Sequence, residues 1–365
     1  MSNTYYVGSG GNDGNSGLTW ALRKLTLNGA EDIPVAAGDT VYVAPGTYKE
    51  LLTTDVSGTA GNQISYIGEY DSSHTDGTGG IVRITGSDDN KTATRGGCIN
   101  VSNKDYRTFQ GFYLDIGTSE LIYIIDSDHF EILDCYFGQS GTEQLECLNM
   151  SDGCTFLIDG CYFSATSNIS LRITGGSDIV AASGIVSNCI IGSRNVYFGI
   201  RVDYIGDMIV KNCLFNSYVG IRADFVSETP ANPVVVNNCI FNGCTTGVRA
   251  MDTGGITEDY NCFSDVATAR NNVDVGIHSN TYYILPDTRW FFEMVNGGSM
   301  LTPFDLASYS EVIDLAGTSP TTSDIRGTTV KGTQREWGAL EYDSDLDIEG
   351  GGGGDTYIRG LMGCG

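Results

Sequence analysis

Much that a chain of this length often carries is scarce or missing here. Basic side chains number 20 against 45 acidic ones in 365 residues, leaving a formal net charge of −25 and a pI near 4.2. So acidic a chain has little affinity for a polyanion, which sets aside nucleic acid and anionic membrane surfaces as partners. No apolar run approaches the ~18 residues of a membrane-spanning helix, so no membrane insertion is expected. Met1-Ser2-Asn3-Thr4-Tyr5 offers no charged segment followed by an apolar one, so no secretory signal is expected. The three histidines, His74, His129 and His278, are far apart and share no metal-ligand spacing. Phosphate loop, nucleophile elbow and dinucleotide fingerprint are all absent. Proline is rare at 7, while glycine is the commonest residue at 49 and aromatics make up 10%. That balance argues against disorder and suits a sheet-rich chain with many corners.

What the middle of the chain does contain is a repeated phrase: Asn or Asp, Cys, an apolar residue, then Phe or another apolar residue. It reads Asp134-Cys135-Tyr136-Phe137, Gly160-Cys161-Tyr162-Phe163, Asn188-Cys189-Ile190-Ile191, Asn212-Cys213-Leu214-Phe215, Asn238-Cys239-Ile240-Phe241 and Asn261-Cys262-Phe263. Successive cysteines are 26, 28, 24, 26 and 23 residues apart. An earlier copy, Phe109-Gln110-Gly111-Phe112-Tyr113, reads as one in which Gly111 replaces the cysteine. A near-constant period of this size marks a solenoid, whose repeats bury their apolar faces only by stacking.

A second element keeps step with the first: Ser170-Leu171-Arg172-Ile173-Thr174, Gly199-Ile200-Arg201-Val202-Asp203, Gly220-Ile221-Arg222-Ala223-Asp224 and Gly247-Val248-Arg249-Ala250-Met251. Each alternates apolar and polar residues, the pattern of a strand with one buried face. No helical periodicity persists over ten residues in this region. Short strands recurring at this period, with Gly, Asn, Asp and Ser between them, define an all-β parallel β-helix, with roughly ten coils expected over residues 60–265. Strands stack ~4.8 Å apart, so Cys135, Cys161, Cys189, Cys213, Cys239 and Cys262 are expected to form one interior column of free thiols, acting as small hydrophobes.

The composition divides the chain into an N-terminal cap (1–40), a β-helix (41–265), a closing segment (266–342) and an acidic, glycine-rich linker with a terminal peptide (343–365). The cap is expected to hold a short amphipathic helix between Trp20 and Leu27. In the closing segment Asn280-Thr281-Tyr282-Tyr283 and Arg289-Trp290-Phe291-Phe292 are aromatic-rich and are expected to pack over the last coil, the alternative being that they line a partner surface. Gly350 to Gly354 form a flexible tether, and Tyr357, Ile358, Arg359, Leu361 and Met362 are the candidate contacts of a docking peptide. Asp343-Ser344-Asp345-Leu346-Asp347 lacks the Gly and Glu that an EF-hand loop requires.

Tyr5-Tyr6-Val7 with its Gly/Asn/Asp loop, then Gly38-Asp39-Thr40-Val41-Tyr42-Val43-Ala44-Pro45-Gly46-Thr47-Tyr48, resembles the opening of pectate-lyase-like right-handed parallel β-helix proteins. Gly58-Thr59-Ala60-Gly61-Asn62-Gln63-Ile64 continues the resemblance. Ser310-Glu311-Val312-Ile313-Asp314-Leu315-Ala316-Gly317-Thr318 and Trp337-Gly338-Ala339-Leu340-Glu341-Tyr342 resemble the group's closing segment. The resemblance implies a right-handed coil. Its functions range over polysaccharide lyases, hydrolases, epimerases, adhesins and phage tail proteins.

Within that range the candidate glycan-binding residues are Arg172, Arg201, Asp203, Arg222, Asp224 and Arg249. They extend a polar column that begins at Asn100 and Asn149. Four in-phase arginines form a groove for acidic sugars, since guanidinium groups grip carboxylates bidentately, or a self-neutralising ladder that holds strands in register. A lyase site would need several carboxylates on Ca²⁺ beside a basic group. Asp126, Asp128, Asp152, Asp159, Asp178, Asp203 and Asp207 supply acids, and Lys211 or Arg201 a base, but their phasing gathers no three at one point. No catalytic residue is assigned, and no cofactor is expected, with Ca²⁺ the one ion admitted. The expected role is that of a virion-associated structural protein, of tail-spike, fibre or decoration type. It would be made in the host cytoplasm, bound to other virion proteins or to itself as a homotrimer, and would expose a rod to host glycan. The alternative is an extracellular lyase or hydrolase acting on an acidic glycan.

Overall fold

The computed structural model describes residues 2–282 except 33–34, 70–72, 76–77, 90–91, 139–145, 152–153, 165–167, 176–181, 193–195, 204, 225–232, 253, 265 and 278, together with the strands Phe292–Met294 and Phe304–Leu306. Short strands wind in rotation through three parallel sheets of ten, ten and nine strands. The first sheet runs from Thr4–Val7 to Ile256–Asp259, the second from Gly46–Tyr48 to Asn280–Tyr282, and the third from Leu52–Thr53 to Thr268–Asn271. This is a parallel β-helix. From Ile64 to Ile256 the chain enters the first sheet eight times and so closes seven turns, fewer than the ten expected. The shortfall has a local cause: the turn from Ile64 to Arg107 consumes 43 residues, about twice the ordinary repeat.

The motif's consonants follow from backbone geometry. From the Arg107–Gln110 strand to the Val234–Asn237 strand the corner between first and second sheets is turned each time by a left-handed residue, Gly111, Asp134, Gly160, Asn188, Asn212 and Asn238 with φ between 51° and 76°. Glycine, Asn and Asp tolerate that region at least strain. The next residue turns inward. Register places Cys135, Cys161, Cys189, Cys213 and Cys239 in one column, since the residues that follow them pair Tyr136↔Tyr162↔Ile190↔Leu214↔Ile240. All five are buried free thiols, and burial pushes the thiols of Cys135, Cys161, Cys189 and Cys213 well above the ordinary range. Those four therefore remain protonated.

Two copies of the motif stand in a different register from the expectation. Tyr113 pairs with Tyr136, so Gly111 occupies the corner and Phe112 takes the cysteine position. At the other end Cys262 pairs with Ile240, and Phe263 with Phe241. Asn261 therefore occupies the cysteine phase, where its Oδ1 accepts from the Cys239 amide at 2.8 Å, and Cys262 lies one residue further on. Stacking of Phe263 on Phe241, with centroids 4.9 Å apart, keeps the aromatic in line and displaces the sulfur. Tyr260 then has to adopt the left-handed corner, at φ 55°.

Phe215, Phe241 and Phe263 stack inside the coil at 4.8 and 4.9 Å. Their rings lie under the start of the third sheet, which explains the glycines there. A Cβ on Gly220 would sit 2.6 Å from both the Gly247 carbonyl oxygen and the Phe241 ring. Each end of the apolar core is closed by a buried ion pair. Near the N-terminus Arg107 Nη1 meets Glu31 Oε1 at 2.6 Å, and the Tyr66 hydroxyl donates to the same oxygen at 2.8 Å. At the far end Arg270 Nε meets Glu258 Oε1 at 2.5 Å, and Gly276 N, Asn261 Nδ2 and Ser279 Oγ also donate to that carboxylate.

The cap differs in detail from the expectation. Trp20–Leu22 is a 3₁₀ turn and the α-helix is Leu27–Glu31, capped by the Thr26 hydroxyl, which accepts from Gly29 N. Asp13 fixes the break between them by accepting from the amides of Leu25 and Thr26. The Thr4–Val7 strand is the first rung, paired in register with Thr40–Val43. Segment 343–365, with the candidate peptide residues Tyr357, Ile358, Arg359, Leu361 and Met362, lies outside the described residues, as does most of 266–342.

Candidate functional site

The third sheet turns a charged stripe outward. Strand alternation sends Leu171, Ile173, Ile200, Val202, Ile221, Ala223, Val248 and Ala250 into the core and leaves the residues between them on the outer face. Pairing aligns Asn100, Tyr123, Asn149, Arg172, Arg201, Arg222, Arg249 and Asn271 in one column across eight strands. The next outward position aligns Thr174, Asp203 and Asp224.

The acids interleave with the arginines. Glu146 meets Arg172 at 3.2 Å, Arg172 meets Asp203 at 3.5 Å, and Asp203 meets Arg201 at 3.3 Å. Arg201 reaches on to Asp224 at 3.3 Å, and Arg222 Nε closes on Asp224 at 2.6 Å. Each aspartate thus bridges two successive coils. The series stops at Arg249: the Asp203/Asp224 position is occupied there by Met251, whose Sδ lies 3.9 Å from both Arg222 Nη2 and Arg249 Nη2. Among the described residues no carboxylate lies within 4.0 Å of Arg249. Four guanidinium groups against three carboxylates leave the stripe with a net charge of +1, on a chain whose total is −25.

An aromatic edge borders the stripe. Tyr197 and Tyr218 stack at 4.9 Å and are about half exposed, 47% and 46%. Phe198 meets Tyr197 edge-on at 4.5 Å, and the Arg201 and Arg222 guanidinium groups lie 5.9 and 5.0 Å from its ring centre. Ile169, Phe198 and Val219 form a small apolar cluster of their own, apart from the core. Sequence reasoning found the arginines and aspartates but missed Glu146, Tyr197, Phe198, Tyr218 and Met251. The available signal was the large apolar residue immediately before each Ser or Gly that opens the strand, in Ile169-Ser170, Tyr197-Phe198-Gly199 and Tyr218-Val219-Gly220.

The structure separates the acids and bases weighed for a lyase site. Asp159 and Lys211 belong to one column of the first sheet, with Ser187 between them, whereas Arg201 and Asp203 are on the third. Asp126 and Asp128 sit on the turn from the third sheet to the first, Asp128 beside His129 at 3.2 Å. Asp152, Asp178 and His278 lie outside the described residues. Among the described residues no three Asp, Glu, His or Cys side chains approach closely enough to hold a metal ion. What the stripe offers chemically is a row of guanidinium forks beside flat rings.

Comparison with solved structures places the fold. The chain is similar to pectate lyase Pel9A over 94% of its own length and 97% of that chain, with a TM-score of 0.59 and 13% identity. It is similar to a XylC structure in complex with xylose over 78% of this chain and 70% of that one (TM-score 0.56, 12% identity). A rhamnogalacturonan lyase matches 72% of this chain and 74% of its own, with a TM-score of 0.53 and 18% identity. No family model matches the chain, and no curated protein does. The fold is the pectate-lyase-like parallel β-helix.

Proposed function

We propose that the protein binds an acidic polysaccharide along the outer face of its third sheet. The reading is carried by one observation: four arginines stacked in register beside a half-exposed tyrosine pair, with the last arginine free of any carboxylate among the described residues. Arg249 and Arg222 grip the sugar carboxylates as bidentate donors, and Tyr197 and Tyr218 offer flat faces to the pyranose rings. Asp203 and Asp224 hold the forks in place and keep the face nearly neutral, so recognition rests on geometry and little on long-range attraction. The names of the structural neighbours, pectate lyase, rhamnogalacturonan lyase and a xylose-bound XylC, favour a glycan ligand.

Titration calorimetry with an oligogalacturonate, at low and high salt, tests the reading against a neutral oligosaccharide of equal length. Binding of the acidic oligomer alone, weakened about tenfold or more by Arg222→Met with Arg249→Met, is the expected result. Equal binding of the neutral oligomer, or insensitivity to both substitutions, overturns it. The same samples, assayed for new reducing ends and unsaturated uronates, decide whether the bound glycan is cleaved.

The setting we propose is a virion, in which the β-helix forms a host-binding rod, self-associates as a homotrimer and attaches through residues 355–365. Deleting 350–365 should abolish incorporation into particles and leave glycan binding unchanged. Incorporation of the truncated chain at full occupancy contradicts the attachment.

A further inference from the structure

The arginines occupy only one half of the column they belong to. Toward the N-terminal end the same column is Asn100, Tyr123 and Asn149, in register with each other and with Arg172. Their chain neighbours Ile99, Val101, Ile122, Ile124, Leu148 and Met150 belong to the core, so alternation turns these three outward, where each is half-buried. The second outward position aligns Ser102, Ile125 and Ser151, in place of the aspartates of the arginine half. The strands Ile99–Ser102, Ile122–Ile125 and Glu146–Ser151 hold no Lys or Arg.

The charge on the face therefore changes sign along the rod. Glu120 lies at the entry to the Ile122–Ile125 strand. Its Oε1 accepts from Asn149 Nδ2 at 3.4 Å and its Oε2 from Ser119 Oγ at 2.6 Å. Among the described residues no cation lies within 4.0 Å of it. Glu146 is engaged in the other direction, with Arg172 at 3.2 Å. Arg172, held between Glu146 and Asp203, marks the boundary between the halves.

The two halves suit different sugars. A uronate carboxylate over Asn100, Tyr123 or Asn149 would lose water, find no guanidinium group and approach the Glu120 carboxylate. A neutral pyranose meets no such cost there. Asn amides and Ser hydroxyls both donate to and accept from sugar hydroxyls, Glu120 accepts from them, and Tyr123 offers an apolar ring. From Asn100 to Arg249 is six strand spacings, ~29 Å, of which the arginines span three, ~14 Å. A glycan that follows the column past Arg172 thus passes from one environment into the other.

We infer that the ligand is a two-part glycan, with an acidic block on the arginines and a neutral block on Asn100, Tyr123 and Asn149, bound in one direction only. The inference rests on the glycan reading of the arginine stripe and adds a second specificity surface to it.

Calorimetry on the full-length protein with four oligogalacturonates tests it: a tetramer, a fully acidic octamer, and two octamers methyl-esterified on the four residues at one end or at the other. One esterified octamer should bind roughly tenfold or more tighter than the tetramer, and the other, with the fully acidic octamer, within about threefold of it. Tyr123→Ala with Asn149→Ala should abolish the gain of the favoured octamer and leave the tetramer's affinity unchanged. If the tetramer binds and all three octamers gain alike, or none gains, or the substitutions change nothing, the neutral block is wrong and the arginine site stands. If no acidic oligomer binds, the glycan reading falls and this inference with it. Should the double variant lose the tetramer as well, Asn149→Asp, of the same size, decides. It should weaken the favoured octamer about fivefold or more and spare the tetramer; an unchanged octamer contradicts the inference.

Discussion

Replacing Asp224 by Asn separates the two things the third-sheet stripe can do. Its carboxylate meets Arg201 at 3.3 Å and Arg222 at 2.6 Å, where the arginines are 29% and 21% exposed and the aspartate 8%. Pairs this accessible are worth about 0.2–1 kcal/mol each, so the substitution should remove about 1–2 kcal/mol of stability at most. Thermal unfolding reads that loss as a drop of a few degrees in Tm. The consequence for binding has the opposite sign. The stripe's net charge rises from +1 to +2 and two guanidinium groups lose their internal partner. A unit charge at ~4 Å contributes about 1 kcal/mol in water and about 4 kcal/mol at an effective dielectric of 20. Affinity for an acidic oligosaccharide should therefore rise roughly fivefold or more, with a steeper dependence on salt. If Asp224→Asn lowers Tm and leaves acidic-glycan affinity unchanged or weaker, the stripe is a register device and the reasoning fails.

Other substitutions probe the remaining parts of the structure. Arg249→Met should leave the stability within about 0.5 kcal/mol of the natural chain and weaken acidic-glycan binding; a large fall in Tm would show an internal partner for Arg249. Gly220→Ala drives a methyl to within 2.6 Å of the Gly247 carbonyl and the Phe241 ring, so urea denaturation should show a loss of about 1–3 kcal/mol; an unchanged midpoint contradicts the packing described. Arg107→Met strands Glu31, which is 2% exposed, and should destabilise by about 3–5 kcal/mol, while Glu31→Met with Arg107→Met together should recover most of that; equal losses in single and double variants contradict it. Burial, with Tyr136 nearby, pushes the Tyr162 hydroxyl up to about 12 from an ordinary value of 10.0. The folded chain prefers the neutral ring, so this contribution to stability is complete below pH 10.0 and is lost as pH rises toward about 12. Ultraviolet difference titration should show Tyr162 ionising only as the fold opens; ionisation near pH 10.0 in the folded chain would show it uncovered.

Much of the coil was legible because stacking repeats itself in sequence. The corner residues betray a left-handed backbone at Asp134, Asn188, Asn212 and Asn238, and the arginine column follows from a motif of fixed length. Register at the ends was not legible. Whether Cys or its neighbour takes the inward position at Cys262 and Gly111 is decided by which aromatic stacks, and that contact spans two coils. The pairing of Asp203 and Asp224 across coils is likewise invisible in a linear string, which shows each aspartate only beside its own arginine. Glu146 joins the ladder from the start of a strand that bears no arginine. The end-closing pairs Glu31–Arg107 and Glu258–Arg270 join residues 76 and 12 positions apart. No local pattern announces a buried ion pair of that kind.

Hydroxyl-radical footprinting of the full-length protein, with and without a saturating oligogalacturonate, locates any glycan directly. The oligomer should protect Tyr197, Tyr218 and Met251, which border the arginine stripe and are about half exposed, and leave Tyr6 and Tyr42 on the first sheet unchanged. Protection confined to another face, with those three side chains oxidised as fast as before, would contradict a glycan site on the third sheet.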